Sequence, residues 1–135
     1  MKMNIKKQEL IKVYNFLNGA SLVGAVSRAR TKLNKSIAEA FQEMQSDESD
    51  LVKEYGGEIV QGGTVKFDND QQDDKAAFNK AILELHEESA VFTETTQDQF
   101  NRLKNALESY EKELSNQDAE AYDILLSALE EEKGE

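Results

Sequence analysis

Apolar residues recur at helical spacing along most of the chain and predict five helices. The first helix is predicted over residues 5–18, ending at Asn18-Gly19, with the apolar positions Leu10, Val13, Tyr14 and Leu17. A much longer second helix is predicted from an N-cap at Ser21 to Tyr55. Its apolar face comprises Leu22, Val26, Ala29, Leu33, Ile37, Ala40, Phe41, Met44, Leu51 and Tyr55. Residues 46–50 (SDESD) interrupt this face, which predicts a kink or a division into two helices.

A β-hairpin is predicted after the long helix. Residues 58–61 and 64–67 are β-prone and flank Gly62-Gly63, which predicts a two-residue turn. A lone hairpin is marginal in water, so we expect residues 1–5 or 90–93 to add a third or fourth strand to the same sheet.

The remaining helices are predicted over 73–88, from a capping box at Thr96 and Gln99 to about 114, and over 121–129. The fourth helix carries the clearest heptad pattern in the chain, at Phe100, Leu103, Leu107, Tyr110 and Leu114. This coiled-coil-like stripe fits a core position or an oligomer interface, and we favour the core. The last two helices are predicted to form an antiparallel hairpin, followed by a solvated tail at 130–135.

These elements predict a mainly α fold: a helical bundle around a long central helix, with a small β-hairpin or short antiparallel sheet. The absence of proline favours long helices, and 135 residues suit one domain over 1–135. Within it we predict a core over 1–94 and a C-terminal helical hairpin over 95–131.

Charge is segregated along the chain, and the net charge is −11. Residues 1–35 contain eight Lys or Arg against one Glu, whereas the remaining hundred contain eight against 26 acids. The acidic excess disfavours direct nucleic-acid binding. The basic start either attracts an anionic partner locally or is neutralised by acids inside the fold.

Helical phase divides the basic cluster of the second helix. At about 100° per residue, Arg28, Lys32 and Lys35 point away from the apolar face and form a candidate interaction surface, or simply solvated charges. Arg30 lies on the flank of the apolar face, so we predict less solvent access than for Arg28 and a carboxylate or backbone-carbonyl partner. A carboxylate would make Arg30 part of a buried ion pair.

Two motif-like stretches lack the residues that their chemistry needs. Gly19 and Gly24 have P-loop spacing, but residues 25–26 (AV) stand where Lys and Ser or Thr are required. Residues 86–90 (HEESA) begin like a zinc-protease helix, but the second histidine is missing and His86 is the only one in the chain. We therefore expect His86 to be an ordinary, partly buried side chain.

An acidic loop at residues 68–74 (DNDQQDD) is the best candidate for a hard cation. It departs from an EF-hand loop, with Asp73 in place of Gly and Asn79 in place of the bidentate Glu, which predicts a weak or absent site. Cysteine is absent, which excludes thiolate sites. We predict no catalytic residue, metal or cofactor, and no enzymatic activity.

No apolar run reaches the roughly 18 residues of a membrane span, and the basic start lacks the apolar stretch of a signal peptide. We therefore expect no membrane contact and a location inside a cell.

A series of short motifs follows along residues 1–95: YNFL at 14–17, SRARTK at 27–32, EYG at 54–56, the glycine hairpin, and EESAVF at 87–92. In this order the chain resembles a domain-of-unknown-function family encoded by tailed phages and prophages of low-GC Gram-positive bacteria. The resemblance implies a phage-encoded protein acting in the cytoplasm of a bacterial host, with virion association as an alternative. It brings no catalytic residues.

The sequence therefore predicts a non-enzymatic protein–protein interaction protein, either a minor assembly component or a host-factor binder. A homo-oligomer is compatible with it. The alternative is an acidic nucleic-acid mimic that inhibits a host nuclease or defence enzyme. An enzyme with a cleft of scattered acids is a third interpretation.

Overall fold

The computed structural model describes residues 2–131, and within that range five α-helices and four short strands form a mainly α fold. In chain order they are β1 (Lys2–Lys6), α1 (Leu10–Gly19), α2 (Gly24–Glu54), β2 (Glu58–Ile59), β3 (Val65–Lys66), α3 (Gln72–Glu87), β4 (Ser89–Thr93), α4 (Gln99–Glu108) and α5 (Asn116–Glu130). A 3₁₀ turn, Lys7–Glu9, joins β1 to α1. Part of the predicted solvated tail, residues 132–135, lies outside the described range.

The first helix begins later than predicted because residues before it form a strand. In β1, Met3 and Ile5 are buried and alternate with exposed neighbours. They lie opposite Phe92 and Ala90 of β4 in an antiparallel ladder. Ile5 fits both the period of a helix and that of a strand, and the non-local pairing with β4 decides between them.

The hairpin is present but stands apart from β1 and β4. β2 pairs with β3 in one two-stranded sheet, while β1 and β4 form another, so the predicted joint sheet is wrong. The hairpin turn has three residues rather than two, because Val60 N donates to Thr64 O at 2.9 Å and Gly63 N donates to Val60 O at 3.0 Å. Positive φ angles at Gly62 and Gly63 make this turn accessible.

The long helix α2 is continuous over 31 residues, so the predicted division at 46–50 is wrong. Ser46 and Asp50 are exposed on the outer side of α2, whereas Glu48 faces α3 and pairs with His86, so the polar run does not interrupt the helix. The N-cap is Val23 rather than Ser21, whose hydroxyl instead accepts a hydrogen bond from Lys112 Nζ at 2.7 Å. α2 packs against α1, α3 and α4.

The heptad stripe of α4 is a core stripe, as favoured from the sequence. Phe100, Leu103 and Leu107 are fully buried. The helix ends at Glu108, so Tyr110 lies beyond it and packs against the core from the α4–α5 connection, as does Leu114.

One cluster of buried residues unites β1, α1, α2, β4, α4 and α5. Aromatic rings flank this cluster near α5. Phe16 makes edge-to-face contacts with Tyr110 and Tyr122, with ring centroids 6.0 Å and 6.1 Å apart. α3 packs against the C-terminal half of α2 through Phe78 and Leu85. The outer side of α2 faces solvent between these two packed regions.

Candidate functional site

Arg30 is held at the C-terminal end of α1. Its Nη1 donates to the carbonyl oxygens of Leu17 at 2.9 Å and Ala20 at 3.0 Å, and its Nη2 donates to Ser27 Oγ at 3.0 Å. The last carbonyls of a helix lack intrahelical partners and carry the negative end of the helix dipole, so a guanidinium is stabilised there. Arg30 therefore ties the start of α2 to the end of α1.

The helical phase correctly predicted that Arg30 is less accessible to solvent than Arg28, since Arg30 is half-buried and Arg28 is exposed. Its partners are carbonyl and hydroxyl oxygens, and among residues 2–131 no carboxylate forms an ion pair with it. The predicted buried ion pair is thus replaced by a helix cap. The carbonyl oxygens of Leu17 and Ala20 lie within reach of Arg30 because the connection between α1 and α2 is short.

The basic residues of β1 and α1 are largely neutralised within the fold. Lys7 Nζ lies 2.7 Å from Glu88 Oε1 of the α3–β4 connection, and Lys6 pairs with Glu87 at 3.1 Å. Lys12 Nζ lies 2.8 Å from Glu120 Oε2 of α5. Acidic side chains of the C-terminal half therefore neutralise these N-terminal lysines.

Arg28, Lys32 and Lys35 differ from these lysines in having no acidic partner within the described residues. All three are exposed on the outer face of α2, and none forms an ion pair with another residue in the range 2–131. The positions and exposure predicted for this candidate interaction surface agree with the structure. Their charges are available to a partner.

Beyond Lys35, the same outer face of α2 carries a row of carboxylates. The apolar pattern alone did not predict this row. At about 100° per residue, these acids and the three cations occupy about a third of the helix circumference. Lys53 is exposed and lies at the same phase as Lys35, so the face has nine residues, which we call the charged face: Arg28, Lys32, Lys35, Glu39, Glu43, Asp47, Asp50, Lys53 and Glu54. None of the five acids forms an ion pair within the described part of the chain.

The acidic end of the charged face borders an open groove of about 460 Å³ between α2 and α3. Its apolar lining comes from Leu51, Ala81 and Leu85. Carboxylates stand on both sides: Asp47, Asp50 and Glu54 from α2, and Glu84 and Glu88 from the α3 side. An apolar floor between two acidic rims suits a basic side chain with an aliphatic stem.

His86 cross-links α3 to α2 beside this groove. Its Nε2 lies 2.7 Å from Glu48 Oε2, and both side chains are about one-third exposed, at 29% and 32%. His86 is thus the partly buried histidine that the sequence predicted. The pair does not line the groove.

The acidic loop at 68–74 is organised by an amide rather than by a cation-binding arrangement of carboxylates. Gln71 Oε1 accepts from Asp68 N at 2.9 Å, and Gln71 Nε2 donates to Gly56 O at 3.1 Å. Across residues 2–131, no three His, Cys, Asp or Glu side chains are grouped so as to hold a metal ion.

Comparisons with protein-family models, with curated proteins and with solved structures give no match. Within the described residues, every helix is too short or too polar to cross a membrane. The fold and the charged face define a mainly helical protein with a long helix whose outer side carries basic and acidic halves.

Proposed function

We propose that this chain is a non-enzymatic, phage-encoded interaction protein that binds a protein partner through the charged face of α2. The observation that carries this proposal is the unneutralised charge on that face. Three cations are followed by five carboxylates, with Lys53 between the last two, over about 39 Å at a rise of about 1.5 Å per residue. Lys6, Lys7 and Lys12 of the N-terminal segment have acidic partners, and other unpaired cations such as Lys75 are not part of an ordered row on one helix face.

Charge arranged in this way favours selection of a partner. Complementary charge across an interface accelerates association and rejects partners with the wrong pattern, while adding less to affinity. The groove beside α3 adds apolar surface to the acidic end. A minor assembly component or a host-factor binder, acting in the cytoplasm of a bacterial host, fits this surface.

The test is affinity purification of the tagged protein from phage-infected cells, followed by mass spectrometry. The informative variant combines Lys32→Glu with Lys35→Glu, which reverses the basic half of the charged face. The matched control combines Lys66→Glu with Lys75→Glu, which makes the same charge change at exposed positions on β3 and α3. We expect a protein retained by the parent and the control but lost by the variant. Identical partners for all three proteins would contradict the proposal.

A second function, inhibition of a host nuclease or defence enzyme by nucleic-acid mimicry, is favoured by the acidic groove. The α2 acids form one row along the groove and face a shorter row on the α3 side, Glu84 and Glu88, in which Glu88 is paired with Lys7 at 2.7 Å. The acids of α5, including Asp118, Glu120 and Asp123, fall on different sides of their helix and do not extend these rows.

Competition separates the two functions. If the captured partner is a nucleic-acid-binding enzyme, duplex DNA should displace it from the protein, and Asp47→Asn with Asp50→Asn should weaken the complex. A partner that DNA does not displace supports the assembly or host-factor role and contradicts mimicry.

A further inference from the structure

We propose that the open cleft between α1 and α2, beside Arg30, binds a nucleoside monophosphate whose base carries an exocyclic amine. The inference goes beyond the proposed function, because it assigns a small-molecule site in addition to the protein-binding face. It follows from a buried amide with an unpartnered oxygen in the wall of a positively charged cleft.

This cleft has a volume of about 310 Å³ and lies where the C-terminal half of α1 meets the first half of α2. The volume is at the lower end of the range for small-molecule sites, roughly 300–1,000 Å³. Its polar lining consists of Tyr14 and Asn18 from α1 and Arg30, Thr31, Asn34 and Lys35 from α2.

The cleft is positively charged although the chain is acidic. Asp and Glu account for 27 of the 135 residues, yet none is among the described residues that line it. Lys35 has no acidic partner within residues 2–131, and the carbonyl and hydroxyl partners of Arg30 leave its charge unneutralised. A concave surface with two cations and no acid attracts an anion. Phosphate is a suitable anion, since lysine binds it as a point charge.

Asn34 provides a second, independent observation. Its side chain is buried, with 7% of the residue exposed, and Nδ2 donates to Tyr14 O at 3.2 Å. Oδ1 is also buried and accepts no hydrogen bond from residues 2–131. Buried polar atoms are nearly always hydrogen-bonded, so an unpartnered acceptor in the wall of a cleft indicates a ligand that supplies a donor. The terminal torsion of an asparagine is soft, and a small rotation presents Oδ1 to the cleft.

The bond to Tyr14 also fixes which way the amide faces. A carbonyl oxygen only accepts, so Nδ2 must lie toward Tyr14 O and Oδ1 away from it. Asn34 then offers an acceptor, Oδ1, beside the second hydrogen of Nδ2. Adenine and cytosine match this pair with an amine next to an unprotonated ring nitrogen, the pattern that asparagine recognises in adenine. Hypoxanthine and uracil carry a carbonyl in place of the amine, which would place two acceptors against each other.

The separation of the two groups requires a ligand larger than a simple anion. Lys35 follows Asn34 directly but is exposed, and its long aliphatic stem carries the ammonium away from the buried amide. Inorganic phosphate is too short to contact both groups. In a nucleoside monophosphate the ribose separates the base from the phosphate, so the base reaches Asn34 while the phosphate stays near Lys35.

The experiment is isothermal titration calorimetry on the purified full chain with AMP, CMP, IMP, UMP, adenosine, cytidine and inorganic phosphate. We expect AMP or CMP to bind, and the matching amine-free nucleotide, IMP or UMP, to bind about tenfold or more weakly. The free nucleoside and inorganic phosphate should also bind about tenfold or more weakly, because each keeps only one of the two contacts. No binding of AMP or CMP at millimolar concentration, or equal binding of the amine-free nucleotides, would overturn the proposal.

Two variants test whether binding occurs in this cleft. Lys35→Gln should weaken binding of the nucleotide about tenfold and leave binding of the nucleoside unchanged. Asn34→Leu should remove the preference for the amine, so that the amine-bearing and amine-free nucleotides bind alike. Lys75→Gln, at an exposed position on α3, is the matched control and should change neither. If Lys35→Gln has no effect, or Lys75→Gln weakens binding equally, the nucleotide binds elsewhere and the assignment fails.

Nitrogen-15 NMR of the parent chain gives a test that does not depend on a buried variant folding. The side-chain amide signal of Asn34 should shift on addition of AMP or CMP, and much less with IMP or UMP at the same concentration. A nucleotide that binds without shifting this signal would overturn the role of Asn34.

Nucleotide binding and partner binding can fail separately. Asn34 is buried and lies outside the charged face, so Asn34→Leu leaves all nine charges of that face in place. A chain that captures its partner in infected cells but binds no nucleotide overturns only the cleft assignment. A chain that binds the nucleotide through Asn34 but captures no face-dependent partner overturns only the proposed function.

Discussion

Gln99 Nε2 donates to the backbone carbonyl oxygen of Ala29 at 3.1 Å and joins α4 to α2 inside the core. The other end of the same amide is also satisfied, because Gln99 Oε1 accepts from Thr95 N at 2.7 Å and from Thr95 Oγ1 at 3.1 Å. Gln99 is 1% exposed, so these bonds offset the cost of burying its polar atoms. The predicted capping box at Thr96 is wrong, since the side chain of Gln99 reaches Thr95 and the N-cap of α4 is Asp98.

Replacing this amide should destabilise the protein although the substitute is apolar. We expect Gln99→Leu to lower the free energy of unfolding by about 1–3 kcal/mol, because the partners of the amide lose their hydrogen bonds. Urea denaturation followed by circular dichroism measures the change. Gln97→Leu is the matched control at an exposed position two residues earlier, with an expected effect within about 0.5 kcal/mol. Equal effects at the two positions would show that Gln99 does not hold α4 to α2.

Arg30 should not tolerate replacement by lysine. A single ammonium cannot reproduce the forked contacts to Leu17, Ala20 and Ser27, although it keeps the charge near the end of α1. We expect Arg30→Lys to cost about 1–2 kcal/mol in unfolding free energy, measured by urea denaturation. Arg28→Lys, on the exposed face of the same helix, should be neutral. A neutral Arg30→Lys would mean that charge alone suffices at this position.

Local periodicity predicted the helices well, because each helix buries one stripe that is visible in its own sequence. The phase of α2 separated half-buried Arg30 from exposed Arg28, and the stripe of α4 identified Phe100, Leu103 and Leu107 as core. These are properties of one element and its apolar face.

Features that depend on distant contacts were not predictable in the same way. Strands were expected at residues 1–5 and 90–93, but Ile5 was also predicted to begin the first helix, and its pairing with β4, more than eighty residues later, places it in β1. The carbonyl partners of Arg30 depend on how the chain turns between α1 and α2. The charges of α2 were present in the sequence, but their alignment on one face depends on an unbroken helix, whereas residues 46–50 predicted an interruption.

Lys12 should make stability depend on pH in the alkaline range. Hydrogen bonds to Glu120 and, secondarily, to Glu9 raise the pKa of Lys12 above its ordinary value of 10.5. Because the folded-state pKa is the higher one, the contribution is complete below the unfolded pKa and is lost as pH rises through the folded value. We expect the stability difference between the parent and Lys12→Gln to be constant up to about pH 10 and to shrink above it.

Urea denaturation at a series of pH values measures this difference. Lys75→Gln is the control, because Lys75 is exposed and makes no ion pair with the described residues. A difference that grew with pH in the Lys12 series, or appeared equally for Lys75, would contradict the role of the two glutamates.

The two leucines Leu83 and Leu85 test how α3 packs on α2. Leu85 is 7% exposed and lines the floor of the acidic groove, whereas Leu83 is 65% exposed on the opposite side of the helix. Leu85→Ala should lower the free energy of unfolding by about 2–4 kcal/mol, since it removes buried methyl groups and leaves a cavity. Leu83→Ala makes the same chemical change in solvent and should stay within about 0.5 kcal/mol. Urea denaturation compares the two variants directly, and a larger loss at Leu83 would mean that α3 presents its other side to α2.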